Sequence, residues 1–390
     1  MAEELLGEES GEFLRALDKD AVTSVRLNRR KPGAEFAHSE PVPWCSSGLY
    51  LAARPEFIYD PMLHAGAYYV QDASSMIYES AMEKIVEEFR NESTIGGISI
   101  LDMCAAPGGK TTAMINALPD GSHVTANEYS AKRASILREN LTKWGYPHIT
   151  VTNRDSAFYG RHGESFDVVA VDAPCSGEGM MRKDEFARQQ WSLDLTRQCS
   201  RLQKEILANA EKALKPGGFL MYSTCTFNRW ENEENAEYII KELGLEPYNP
   251  GFPEEWGIPG GIDTELPVYR FMPHKTKGEG LFLAMFRKPG DRQPTAPKKR
   301  VPGRIKTTDK NVAPEIEEIL SSEFNARELP RVEIDKATAL SYLRREAIRL
   351  DAEAPKGYVV VTYKGHPLGL VKNIGSRANN LYPKNWRILK

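Results

Sequence analysis

The chain has 390 residues, 41% hydrophobic and 27% charged, with a formal net charge of −3; that make-up fits roughly two to three globular domains and excludes an intrinsically disordered chain. No apolar run approaches the roughly 18 residues of a membrane span, and the acidic start Met1-Ala2-Glu3-Glu4 is not that of a signal peptide. Five scattered cysteines with no Cys-x-x-Cys pair argue against a disulfide framework or a zinc site and for a cytoplasmic protein.

The charge is unevenly placed. Residues 1–20 carry seven acids against two bases, residues 287–310 nine bases against two acids, and residues 356–390 seven bases and no acid. Basic segments in an otherwise acidic chain point to a polyanionic partner such as RNA, against the plainer reading of solvated basic tails.

In chain order, Phe13, Leu14 and Leu17 share one helical face within residues 11–20. Residues 22–28 alternate like an edge strand, ended by Arg29-Arg30-Lys31-Pro32. Residues 41–61 read as irregular surface with one strand at 48–52, and helical spacing resumes over 72–89, with Asp72 or Ser74 placed to cap it. No catalytic constellation is legible in this small α+β part. From residue 98 the pattern becomes strand (98–103), Gly-rich turn (104–110) and helix (111–118). Strand 124–128, helix 131–144, strands 149–152 and 168–172, helix 195–214 and strand 219–225 follow, and the apolar segment 281–286 closes the sheet. This is a doubly wound α/β domain. Residues 291–311 read as a linker. Helices are expected over 313–324 and 337–350, with short strands at 358–363, 366–371 and 386–389 forming a basic β-rich appendage.

The turn Cys104-Ala105-Ala106-Pro107-Gly108-Gly109-Lys110 follows Asp102 at a strand end and opens a helix, a place suited to a ligand. A phosphate-binding P-loop needs glycine where Cys104 stands, and a dinucleotide fingerprint is absent. S-adenosylmethionine (SAM) remains. Glu128, past the second strand, is placed for the ribose hydroxyls and Asp155, past the third, for the adenine amino group, against the alternative that each caps a helix or is solvated.

Cys45 and Cys199 read as inert small hydrophobes. Cys175 and Cys225 differ, because each ends a buried strand, behind Asp172-Ala173-Pro174 and within Ser223-Thr224-Cys225-Thr226. If these strands are neighbours, Asp172, Cys175 and Cys225 converge on one crevice. Two thiols and an acid beside a methyl donor suit carbon 5 of a pyrimidine. A thiolate adding to carbon 6 makes carbon 5 nucleophilic, and Asp172 is placed to stabilise the ring during addition. Such a base must leave its stack to enter the pocket.

Asp102 to Lys110, Glu128, Asn153-Arg154-Asp155, Asp172-Ala173-Pro174-Cys175-Ser176-Gly177-Glu178-Gly179-Met180 and Ser223-Thr224-Cys225-Thr226 run in the order found in the bacterial Sun/RsmF-type RNA cytosine-5 methyltransferases, which the chain resembles. Arg26-x-Asn28 and Gly66-Ala67-Tyr68-Tyr69-Val70-Gln71-Asp72-x-Ser74-Ser75 add to the likeness. The resemblance implies that Cys225 is the nucleophile and that Cys175 assists product release. It also implies that residues 104–110, Glu128, Asp155 and Asp172 bind SAM, with Lys110 near both cofactor and base. Gly357-Tyr358-Val359-Val360 and His366-Pro367-Leu368-Gly369-Leu370-Val371-Lys372 resemble the PUA-like RNA-binding appendage of the RsmF branch.

The expected organisation is an RNA-orienting α+β domain (1–92), a Rossmann-like SAM-dependent methyltransferase domain (93–288), a basic linker (289–311) and a PUA-like domain (312–390). The expected substrate is small-subunit ribosomal RNA, acted on by a cytoplasmic monomer with no membrane or metal. Transfer RNA, a non-RNA methyl acceptor and a non-catalytic ribosome-assembly role stay open as alternatives.

Overall fold

The computed structural model describes residues 2–92, 96–183, 185–292, 315–321 and 329–389. Helices Ala2–Leu6 (α1) and Ser10–Leu17 (α2) come first. Phe13 and Leu17 turn inward against Phe227 and Met272, whereas Leu14 is 48% exposed, because the buried stripe of α2 runs through positions 13, 16 and 17. Strands Ser24–Leu27 (β1), Glu40–Val42 (β2), Cys45–Tyr50 (β3) and Tyr68–Val70 (β4) form an antiparallel sheet ordered β2-β3-β1-β4. β1 is therefore interior rather than an edge. Its polar residues Ser24 and Arg26 look solvated in sequence but are buried and hydrogen-bonded. Pro61–His64 (α3) starts at Asp60, whose side chain accepts from Met62 N, with Pro61 at the first helical position. Ile77–Asn91 (α4) follows a short turn in which Asp72 accepts from Ser75 N, so the expected cap serves the turn before the helix.

The central sheet has eight strands: Ser99–Asp102 (β5), His123–Asn127 (β6), Ile149–Thr152 (β7), Phe166–Asp172 (β8), Leu214–Thr224 (β9), Glu246–Pro247 (β10), Val268–Phe271 (β11) and Leu281–Arg287 (β12). β7, β6, β5, β8 and β9 run parallel in that order, and β12 joins antiparallel to β9. The segment expected to close the sheet does not do so, since β10 and β11 pair with its outer edge. The chain moves from β5 out to β7 and returns to β8, so the order reverses between β5 and β8, where open sheets hold ligands.

Helices Gly109–Ala117 (α5), Ala131–Trp144 (α6), Ser156–His162 (α7), Glu185–Gln190 (α8), Leu193–Ala213 (α9) and Glu233–Lys241 (α10) complete this layer structure. The strands are apolar on both faces, as buried parallel strands must be. Ile100, Val168, Ala170, Phe219 and Met221 pack with α4, α5, Trp44 and Tyr50, so the N-terminal part shares one continuous core with the sheet. Leu101, Val169, Val171, Leu220 and Tyr222 face α7, α9 and α10.

Beyond the central sheet, the linker expected at 289–311 lies outside the described residues from 293 onward. Of the helix expected over 313–324, Ile316–Leu320 (α11) is described. Arg331–Glu333 (β13), Lys336–Leu343 (α12), Gly357–Tyr363 (β14), His366–Asn373 (β15) and Ala378–Asn380 (β16) form the C-terminal module, with sheet order β13-β14-β15-β16. α12 ends well before the expected residue 350. The strand expected at 386–389 is absent: Lys384–Trp386 is a single 3₁₀ turn, and the alternation of Trp386 and Ile388 reflects burial against the module's own core.

One side chain joins all three parts. Lys31 is 3% exposed, and its Nζ donates to the carbonyls of Ala65 (2.9 Å), Lys143 at the end of α6 (2.7 Å) and Leu320 at the end of α11 (3.0 Å). Glycine is required around it. Gly66 and Gly145 adopt φ of +73° and +80°, and a Cβ on them would lie 1.7 Å from Lys143 O and 2.3 Å from Leu320 O. Among the described residues, no helix is long and apolar enough to cross a membrane.

Candidate active site

β5, β8 and β9 deliver their carboxyl ends to one crevice. β8 and β9 are paired neighbours with Asp172 opposite Ser223, so the loops that follow bring Cys175 and Cys225 together, with their Sγ atoms 3.2 Å apart. Both cysteines are half-buried residues. The Cys175 hydrogen bond holds Cys225 below the usual thiol pKa against the opposing effect of burial, and the Lys110 ammonium helps. The same bond, seen from the other sulfur and reinforced by burial, pushes Cys175 well above it. The contact and the Lys110 charge thus favour the thiolate at Cys225 over Cys175.

Lys110, in the first turn of α5, donates to Asp172 Oδ2 at 2.9 Å. Asp172 Oδ1 accepts from Ser223 Oγ at 2.6 Å, and Ser223 Oγ accepts from Tyr78 OH on α4 at 2.8 Å. Burial disfavours the Lys110 ammonium, but Asp172 more than offsets it and the pKa lies above that of a free lysine. The structure thus gathers Lys110, Asp172, Cys175 and Cys225 around one crevice, with a fixed cation beside the polarised thiols.

The turn from Cys104 to Lys110 is held from outside by its carbonyls. Arg133 donates to Ala106 O (2.7 Å), Asn140 Nδ2 (2.8 Å) and Tyr69 OH (3.2 Å) to Pro107 O, and Arg26 Nη2 to Gly109 O (3.2 Å). Arg26 also reaches Thr112 O and Oγ1 and Gln71 Oε1, and its guanidinium lies 4.7 Å over the Trp144 ring. Gly108 has φ +109°, a conformation that favours glycine, and caps α5. Ala105 N donates to Asn127 O, which ties the turn to β6. Asp102 is buried, and burial raises its carboxyl to about 7 although it accepts from Thr111 Oγ1. Burial likewise raises Cys104, which keeps that thiol neutral.

The other two predicted acids stand past the ends of β6 and β7. Glu128 is 4% exposed, accepts from Ser130 N at 2.8 Å and lies 3.3 Å from Arg133. Asp155 is exposed and caps α7 through Ala157 N at 2.7 Å, so the helix-cap reading applies to one of its oxygens. Cys45 is buried within the hydrophobic core, and its pKa is pushed up to about 12 by burial. Cys199 is half-buried on α9. Among the described residues, no group of three His, Cys, Asp or Glu side chains is placed to hold a metal ion.

Several residues at the site are silent in sequence. Tyr78 looks like one more apolar position of α4, and Asn127 like the end of a strand. Asn127 nevertheless ties Met103 O and Arg154 O together, and accepts from Thr152 and Tyr159. Glu178 and Glu231 resemble solvated acids but are wholly buried beside the thiols. The sequence signals are the place of Glu178 within the motif from Asp172 to Met180 and the crowding of amides and acids in Asn228-Arg229-Trp230-Glu231-Asn232 directly after a strand end.

Residues 89–287 match the family of the 16S rRNA methyltransferase RsmB/F, residues 1–73 the N-terminal domain of 16S rRNA methyltransferase RsmF, and residues 329–388 the methyltransferase RsmF PUA domain. The chain is 30% identical to the ribosomal RNA small subunit methyltransferase F of Enterobacter sp. (strain 638), over 95% of this chain and 91% of that protein. It is 36% identical to the protein of the same name from Shewanella sp. (strain ANA-3), over 60% of this chain, and there it spans only 49% of the relative's length. Among solved structures, a methyltransferase homolog protein from Pyrococcus horikoshii superposes with a TM-score of 0.62 at 26% identity, covering 74% of this chain and 93% of that one. NSun6 from Pyrococcus horikoshii gives 0.61 at 21% identity, over 74% and 97%, and shares the fold.

Proposed function

The chain belongs to the 16S rRNA methyltransferase RsmB/F family, and from that premise we propose that it methylates carbon 5 of a cytosine in small-subunit ribosomal RNA, acting as a cytoplasmic monomer through a covalent Cys225 adduct. The observation that carries this reading is the pair of polarised thiols, 3.2 Å apart, beside the Lys110–Asp172 pair. A site that only bound RNA would have no use for a thiol made acidic by its neighbour.

The residues suit SAM. The turn from Cys104 through Ala105, Ala106, Pro107, Gly108 and Gly109 to Lys110 opens α5, whose first N–H groups lack intrahelical partners, and Glu128 and Asp155 stand past the next two strands as acceptors for hydroxyl and amino groups. When bound, SAM supplies the electrophilic methyl group.

The protein's own groups do the rest. The Cys225 thiolate adds to carbon 6, and the electron pair displaced from the 5,6 double bond makes carbon 5 the nucleophile. A cytosine edge presents an amino donor and ring acceptors, which Asp172 and Lys110 match in kind. This pair, already hydrogen-bonded before the base arrives, needs little reorganisation as charge develops. After transfer, the carbon 5 proton passes to solvent water, its bonding pair re-forms the 5,6 double bond, and the bond from carbon 6 to sulfur breaks with its pair on sulfur. Cys175, hydrogen-bonded to the departing sulfur, stabilises the thiolate that returns.

Cys225→Ala is expected to abolish methyl transfer to RNA, whereas Cys175→Ala retains the adduct, seen as a protein–RNA band that survives denaturing electrophoresis. No trapped adduct with Cys175→Ala, or transfer that persists in Cys225→Ala, would overturn the covalent route.

A further inference from the structure

The loops after β8 and β9 are tied together by two acids that cross in opposite directions. Glu178, on the Cys175 loop, reaches the Cys225 loop: its Oε2 accepts from Phe227 N (2.6 Å) and Asn228 N (2.9 Å), and its Oε1 from Trp191 Nε1 (2.7 Å) and Asn228 Nδ2 (3.1 Å). Glu231, just past the Cys225 loop, reaches back. Its Oε2 accepts from Ser176 N (3.0 Å) and Gln203 Nε2 (2.6 Å), and its Oε1 from Asn228 Nδ2 (2.8 Å). Between them, Ser176 Oγ and Thr226 Oγ1 are 2.9 Å apart and Gly179 N donates to Cys225 O at 2.8 Å.

Both carboxylates are 0% exposed, and among the described residues neither forms a salt bridge. Burying two carboxyl groups without a cationic partner is costly, and burial raises the pKa of Glu231; apolar side chains would fill the same space without that cost. What apolar residues cannot do is bind the backbone N–H groups next to each cysteine. Ser176 adjoins Cys175, and Phe227 lies two residues past Cys225.

We propose that Glu178 and Glu231 are positioning residues that lock the two thiol loops in register, so that Cys175 is held as hydrogen-bond donor to Cys225. The inference deepens the reading of the two thiols as the reacting pair and rests on it. Glu231 opposes negative charge on both sulfurs, whereas Lys110 favours it on Cys225. The brace thereby sets how far apart the two sulfurs lie, and Lys110 favours Cys225 as the one that carries the charge.

The test reads each thiol by the pH dependence of its alkylation with iodoacetamide on the folded, full-length protein, by peptide mass spectrometry. It needs neither RNA nor SAM, so its failure leaves the covalent route standing, and failure to trap an RNA adduct leaves this result standing. In the unaltered protein, Cys225 alkylates with a lower midpoint than Cys175. Glu178→Gln is expected to raise the Cys225 midpoint by about one pH unit as the sulfur contact loosens, and Trp191→Phe, which removes one donor to Glu178, by less. Glu231→Gln lowers both midpoints. Cys175→Ala raises the Cys225 midpoint as Glu178→Gln does, and the two together shift it no further, because the brace acts through Cys175. A merely structural role would change the melting temperature in both backgrounds and leave this non-additivity absent. If Glu178→Gln does not fold, Trp191→Phe carries the same comparison. An unchanged gap between the two midpoints in folded Glu178→Gln and Trp191→Phe, or a further shift on the Cys175→Ala background, would overturn the proposal.

Discussion

On one side of the crevice, the turn from Cys104 to Lys110 and the start of α5 present carbonyl oxygens outward. Donors from other parts of the chain take them: Arg133 at Ala106, Tyr69 and Asn140 at Pro107, Arg26 at Gly109 and Thr112. On the other side, the loops bearing Cys175 and Cys225 present N–H groups inward, and two carboxylates take them. A turn gripped by its carbonyls keeps helix N–H groups for a ligand. Loops gripped by their N–H groups leave the sulfurs as their free reactive atoms. Each half of the site is thus fastened through the groups its chemistry does not use.

The sharpest way to break the comparison is Arg26→Ala. It leaves Gly109 O and Thr112 O without their charged donor and opens a gap against Trp144. A loss of about 3 kcal/mol in chemical denaturation is expected, since hydrogen bonds to charged groups contribute about 1.5–3 kcal/mol each and the two sites are not additive. SAM affinity by calorimetry should fall while Cys225 alkylation is retained. Glu231→Ala reverses the pattern. It strands the donors of Ser176, Gln203 and Asn228 and should cost about 2 kcal/mol with SAM affinity unchanged. If both variants damaged both halves equally, the two supports would be one.

The smallest effect is a pH slope on the cofactor side. Burial raises Asp102 from 3.8 to about 7 in the folded chain, so as pH falls the native state takes up this proton before the unfolded state does. The group's contribution to stability is therefore full below about 4 and is lost as pH rises through about 7. Relative to Asp102→Asn, the ligand-free protein should lose about 1 kcal/mol between pH 5 and 6, by urea unfolding at each pH. Parallel pH profiles for the two proteins would place the Asp102 titration outside this window.

How much of this was legible in the sequence follows from the same contrast. The turn at 104–110, the acids at 102, 128, 155 and 172 and the two cysteines sit at strand ends, and strand ends are visible as apolar runs that stop. The neighbouring of β8 and β9 was only a condition in the sequence, and the sheet order meets it. The supports were not legible, because their partners are backbone groups far away in sequence. Arg26 finds Gly109 and Thr112 over 80 residues on, and Glu178 finds Phe227 and Asn228 about 50 residues on. Arg26 also led the reading of β1 astray, since a charged residue in an alternating segment suggests solvent while a guanidinium with carbonyl partners is at home inside. At the C-terminus, Trp386 and Ile388 alternate like a strand, yet they cap the module's core and Ile388 N donates to Leu343 O instead of to a neighbouring strand.

The three carbonyls around Lys31 bear on how far the C-terminal module stands from the sulfurs. One of them ends α11 beside the module, one ends α6 next to the catalytic sheet, and one belongs to the N-terminal part. The separation is therefore held by a buried amine at a shared vertex, together with the packing of Ala65 into the module's core and the Lys143–Trp386 contact. An RNA gripped by the module would be measured off as if by calipers, and Lys31→Met would open the jaws without touching either tip.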